Sequence, residues 1–95
     1  MAAIIGFLEV HLLISEAHSL KEKRSVVKRI IERLKNKFNV SVSEVGDQNK
    51  WQSAVIGIVT IGTSQKVVDA TLEKVVLFIE DLYPGKVTNY YKEIL

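Results

Sequence analysis

Ninety-five residues with thirteen Lys and Arg against eleven Asp and Glu make one domain near charge balance, with a formal net charge of +2. An apolar fraction of 47% with a single proline favours a packed core over disorder. Cysteine is absent, which excludes disulfides, thiolate metal sites and thiol catalysis, and His11 and His18 alone are too few for an ordinary zinc centre, so no metal and no cofactor is expected.

The apolar start, residues 1–14, lacks a positive flank and a small-residue cleavage site, and Glu9 and His11 interrupt it. It reads as a strand rather than a signal peptide or membrane span, and the expectation is a soluble, cytoplasmic protein with no membrane partner. Alternation places Gly6, Leu8, Val10, Leu12 and Ile14 on one face of this strand and Phe7, Glu9, His11 and Leu13 on the other. After a loop at 15–18, Ser19 opens a helix. Ser19 and Glu22 fit the S-x-x-E capping pattern, in which each side chain accepts from the other residue's amide. Leu20, Val27, Ile30, Ile31, Leu34 and Phe38 then share one stripe at helical spacing, and Asn39 is the expected stop.

Residues 40–46 read as a second strand whose alternation skips from Val42 to Val45, as a bulge produces. A turn at 47–50, in which Asp47 is suited to bond a nearby amide, leads to a third strand over 52–61. This strand is apolar on both sides, with Ala54, Ile56 and Ile58 against Val55, Val59 and Ile61. Ser64 caps a second helix with Val68, Leu72, Val75, Val76 and Ile79 inward, ending near Leu82 ahead of Pro84-Gly85. A fourth strand follows over 86–92. The order strand, helix, strand, strand, helix, strand predicts an α+β ferredoxin-like βαββαβ sandwich over residues 1–95. Its four-stranded antiparallel sheet has the first and third strands in the centre and both helices on one face.

Charge is unevenly spread. Residues 21–37 hold eight of the thirteen basic residues and two acids, Glu22 and Glu32, so this segment carries about +6 and the rest of the chain about −4. Such a face suits phosphate, and Lys21, Lys23, Arg24, Lys28 and Arg29 are the candidate contacts to RNA. Against this stands the acidic flank of the second helix, Asp69, Glu73 and Glu80, which is placed to absorb some of the lysines across the interhelical groove. Positive charge in the first turn opposes the helix dipole, so Lys21, Lys23 and Arg24 point to a ligand or a partner carboxylate.

The helix-free face of the sheet is too apolar for water, which predicts a partner surface formed by Phe7, His11, Val55, Val59 and Trp51, most simply in a homodimer. Trp51 at the start of the third strand fits a base-stacking platform or an interface anchor; its plainest reading is packing over the sheet edge. Glu9 and His11 share a strand face and can interact, but no nucleophile joins them, and Glu44 with Asp47 lacks further metal ligands. RNA-recognition motifs use this strand order and stack bases on central-strand aromatics, which QSAVIGIVTI lacks, so RNA contact has to use the helix. No Walker or G-x-G-x-x-G run exists, and a non-enzymatic binding module is the favoured class.

SLKEKRSVVKRI at 19–30 and NVSVSEVGDQNKWQ at 39–52 resemble the YlxP-like family of small bacterial proteins, over nearly the whole chain. The resemblance implies a ferredoxin-like fold and brings no catalytic residues, since the family is a domain of unknown function. Its genes often lie among those for translation and ribosome maturation, which implies a partner in RNA or the ribosome. The alternative function is a protein-interaction module that uses the apolar sheet face while the basic helix is merely solvated.

Overall fold

A computed structural model describes residues 3–95; Met1 and Ala2, the first residues of the apolar start, lie outside them. The elements run β1 (Ile4–Leu13), α1 (Leu20–Lys37), β2 (Ser41–Gly46), β3 (Ser53–Gly62), α2 (Gln65–Leu82) and β4 (Val87–Ile94). The strands form one antiparallel sheet in the order β2-β3-β1-β4, so β1 and β3 are central, as the pattern predicts. The chain has an α+β ferredoxin-like fold.

Period-two patterning decides which side of each strand meets the helices. Leu8, Val10, Leu12 and Ile14 are buried together with Ala54, Ile56 and Ile58 of β3, Val27, Ile30 and Leu34 of α1, and Leu72, Val75, Val76 and Ile79 of α2. One core therefore lies between the sheet and both helices. Gly6 lets α2 come close: a Cβ there would stand 2.6 Å from Val68 Cγ1 and 2.9 Å from Leu72 Cδ1.

Both helix starts follow their caps. Ser19 Oγ accepts from the Glu22 amide at 3.1 Å, and Ser64 Oγ from the Val67 amide at 3.3 Å. At the far end α1 stops at Lys37 with Phe38 as its cap, and the expected stop, Asn39, is the first residue beyond it. Burial explains the stop: Phe38 turns into the core edge and meets Phe78 of α2 edge-to-face at 5.8 Å. The predicted bulge is present as a shift in the β2–β3 register between Glu44 and Gly46, which leaves Val45 lying over Gly57.

Candidate functional site

At the centre of the basic motif is a residue that does not face solvent. Lys23 is 0% exposed, and its ammonium donates to Glu44 Oε2 at 2.9 Å and to the carbonyls of Asp47 at 2.8 Å and Gln48 at 3.3 Å. Three N–H groups meet three acceptors, which is the condition under which a buried cation is tolerated. The expectation that Lys23 contacts phosphate is therefore corrected: its side chain is consumed inside the fold. The carboxylate that its place near the helix start called for is Glu44 of the same chain. Two patterns in the sequence carried this pair. Lys23 stands on the stripe 23-27-30-34 that α1 buries, and Glu44 shares the inward side of β2 with Val42. Reading charge as outward hid both.

The remaining cations of α1 do face out. Lys21, Arg24, Lys28, Arg29, Arg33, Lys35 and Lys37 are all exposed, and none is in an ion pair among the described residues. The acids of α2 do not neutralise them, which corrects the expectation of pairing across the interhelical groove. Lys92 of β4 takes Asp69 at 2.8 Å and Glu73 at 2.6 Å. Register explains why: Lys92 lies opposite Leu8 and so points to the helix side, directly under α2. Hydrogen bonds to Asp69 and then Glu73 push the Lys92 pKa well above the ordinary lysine value. Lys37 lies over the Phe78 ring, 5.4 Å from its centroid.

On the opposite side of the sheet, Ile5, Phe7, Glu9, His11 and Leu13 of β1 line up with Ile61, Val59, Gly57, Val55 and Ser53 of β3. Val59 is 39% and Ile61 57% exposed, and Ile5, Leu13 and Val45 are exposed beside them. Val55 is buried by its neighbours, and Phe7 and His11 are half-buried. His11 Nε2 lies 3.2 Å from Glu9 Oε2, so the predicted contact between them is made. On β4, Tyr91 hydrogen-bonds Glu93, and that bond raises the tyrosine pKa.

The loop between β2 and β3 closes one end of the molecule. Asp47 adopts φ 56, in the left-handed region, and its carbonyl accepts from the Lys50 amide at 3.0 Å. Gln52 clamps the loop to the start of α1, donating to the carbonyls of Ser15 at 2.9 Å and Ala17 at 3.1 Å. Between these anchors Trp51 stands 57% exposed, so it does not pack away over the sheet edge as its plainest reading has it. It borders a cleft of about 540 Å³ with Leu13, Asn49, Lys50, Gln52 and Ser53.

Comparison with known proteins places this chain. Residues 5–92 match the family model described as "Protein of unknown function (DUF503)". The chain belongs to this family. It is 47% identical over 77 residues to "Uncharacterized protein YlxP" of Bacillus subtilis (strain 168), covering 81% of this chain and 84% of that one. The YlxP-like family expected from the two motifs is thus the right one. Among solved structures, "De novo designed protein Foldit4" superimposes with a TM-score of 0.57 at 13% identity, over 98% of this chain and 96% of that one. At that identity the likeness shows the fold alone. The stretch matched to the family contains Lys23, Glu44 and Trp51 and the exposed cations of α1.

Among the described residues no group of three or more His, Cys, Asp or Glu side chains is arranged to hold a metal ion. A groove of about 500 Å³ between α2 and β4 carries Glu73 and Glu80, but Glu73 is already bound to Lys92. Among the described residues no helix is long and apolar enough to cross a membrane.

Proposed function

We propose that this protein is a non-enzymatic module that binds RNA, including ribosomal assembly intermediates, through the outward face of α1. Lys21, Arg24, Lys28 and Arg29 contact phosphates, with Arg33 and Lys35 continuing the track. One observation carries the reading: seven exposed cations lie on a single helix with no ion pair among the described residues, while Asp69 and Glu73 of α2 are occupied by Lys92. Lys23 serves this face only from within, by holding its first turn. The same reading has the protein act in the cytoplasm.

Titration of a labelled RNA over a range of salt concentrations tests it. Four phosphate contacts to a single strand give a log–log slope of about −3. Lys28→Glu with Arg29→Glu is expected to weaken binding to every sequence alike and to flatten the slope; undiminished affinity in that double variant refutes the assignment. Recovery of ribosomal material from native lysate, abolished by ribonuclease, checks the partner.

A second reading is favoured by the open sheet face. Its exposed row of Ile5, Leu13, Val45, Val59 and Ile61 suits self-association as a dimer, with Phe7, His11, Val55 and Trp51 in the same interface. α1 and the open face of the sheet lie on opposite sides of the molecule, so a phosphate track and a sheet-face dimer are compatible, except that Trp51 can serve only one of them.

A further inference from the structure

We propose that Trp51 is a stacking platform for a base of single-stranded RNA, an inference that rests on the RNA reading of α1 and narrows its ligand to RNA with an unpaired base. The exposure of the ring is the starting point. A tryptophan with more than half its surface in water contributes little to the core, yet the loop that carries it is fixed from four directions. The buried Lys23 ammonium holds the carbonyls of Asp47 and Gln48. The Lys50 amide closes a turn on Asp47. Gln52 is clamped by its side chain to Ser15 and Ala17 and by its carbonyl to the Ile14 amide at 2.7 Å. A rigid loop presents its ring in one orientation and loses little entropy when a ligand stacks on it.

The surroundings suit a nucleotide. Leu13 and the indole give the cleft an apolar wall, Asn49 lines it with an amide, and Lys50, 69% exposed and ion-paired with Asp47 at 3.4 Å, supplies a cation beside the ring. Placement matters as much. Gln52 bonds the residues that lead into α1, and Lys23 ties the loop to the first turn of that helix, so Trp51 sits at the end of the molecule where Lys21 and Arg24 begin the cationic track. A strand whose phosphates follow α1 and round this end delivers a base to the indole. A duplex cannot, because its bases are already stacked. β3 has no aromatic residue, so the open face of the sheet offers a base no pair of central-strand rings; its rings are the half-buried Phe7 of β1 and Tyr91 of β4, which is bonded to Glu93.

Trp51 is the chain's one tryptophan, so its fluorescence reports the contact directly. The experiment titrates the full-length protein at low salt with an unstructured ten-nucleotide RNA and, separately, with the same RNA as a duplex. It follows indole emission and the anisotropy of a label on the RNA. Single strand is expected to quench the emission in step with the anisotropy rise. Trp51→Ala is expected to weaken single-strand binding by about ten- to a hundred-fold while leaving duplex binding unchanged, and Trp51→Phe to restore most of the loss. Because the ring is exposed, these variants keep the fold, which circular dichroism verifies. Unaltered single-strand affinity in Trp51→Ala overturns the stacking assignment and leaves the helix reading standing. Failure of both RNAs to bind overturns the helix reading, and the stacking with it. A Trp51→Ala variant whose altered property is its mass in light scattering makes the ring an interface residue and likewise overturns the proposal.

Discussion

A single methylene chain joins three parts of this structure, because Lys23 ties α1 to β2 and to the loop beyond it. Removing one partner of a buried, hydrogen-bonded charge pair leaves the other unsolvated, which costs about 3–5 kcal/mol. Lys23→Met keeps the volume of the stem but strands Glu44 and the Gln48 carbonyl, so a loss of that size is expected in urea unfolding. Adding Glu44→Leu should recover part of it, whereas additive losses would show that the pair is not the source of the effect. The exposed ion pairs behave differently, and pH separates them. The hydrogen bond from Lys86, at 2.7 Å, holds the Glu16 carboxyl below the usual carboxylate range. A depressed folded pKa gives stability that is present above the unfolded value and lost as pH falls through the folded one. The melting difference between the wild type and Glu16→Gln is therefore expected at neutral pH and should vanish in acid. Lys92 has the opposite sign: its raised pKa gives stability that is complete at neutral pH and lost only in strong alkali, so the deficit of Lys92→Met stays constant from about pH 7 to 9. Paired thermal melts of each variant against the wild type check both signs.

Elements meet closely at one place, the crossing of α2 over β1 at Gly6. A methyl group there overlaps Val68 and Leu72, both of them buried side chains on a helix that is itself pinned to β4 by Lys92. Gly6→Ala is expected to destabilise by about 1–3 kcal/mol, as overpacking does, with the loss read from the chemical-denaturation midpoint. Pairing it with Val68→Ala should return much of the loss, since the nearest overlapping carbon is then gone. Much of this architecture was legible in the sequence, because alternation, helical stripes and the two serine caps are local signals, and the skip from Val42 to Val45 announced the bulge. The end of α1 was legible as well, since Phe38 belongs to its apolar stripe and Asn39 follows its cap, but the partner Phe78, forty residues away in the chain, is named by no local rule. The same limit applied to charge. Lys92 could not be assigned to Asp69 and Glu73 without the β1–β4 register, and so the acids of α2 were credited to the wrong helix. Lys23 was different in kind: its position on the buried stripe was readable, and only the habit of turning every lysine outward concealed it.

On the scale of the whole molecule, two surfaces face opposite ways. The helix layer carries the unpaired cations of α1, and the far side of the sheet carries an aliphatic row broken at its centre by Glu9 and His11. Sequence patterning located both surfaces, but their independence follows from the sheet lying between them. If two copies join through their sheets, a two-fold axis leaves both α1 helices on the outside, where each is open to phosphate. That geometry makes a testable link between assembly and binding. Lysine at Val59 and Ile61, both on the exposed side of β3, places charges in the middle of the apolar row without touching the core. Light scattering at micromolar concentration should report a dimer for the wild type and a monomer for Val59→Lys with Ile61→Lys. A ten-nucleotide RNA, which reaches one α1 alone, should then bind both forms with similar affinity per protomer, apart from the small attraction of the added charges. An RNA long enough to reach both helices should lose about a hundred-fold or more in the variant, because the second contact is no longer held at high effective concentration. A wild type that is strictly monomeric removes the assembly from the argument. Equal loss on short and long RNA would instead mean that the sheet face itself meets the nucleic acid.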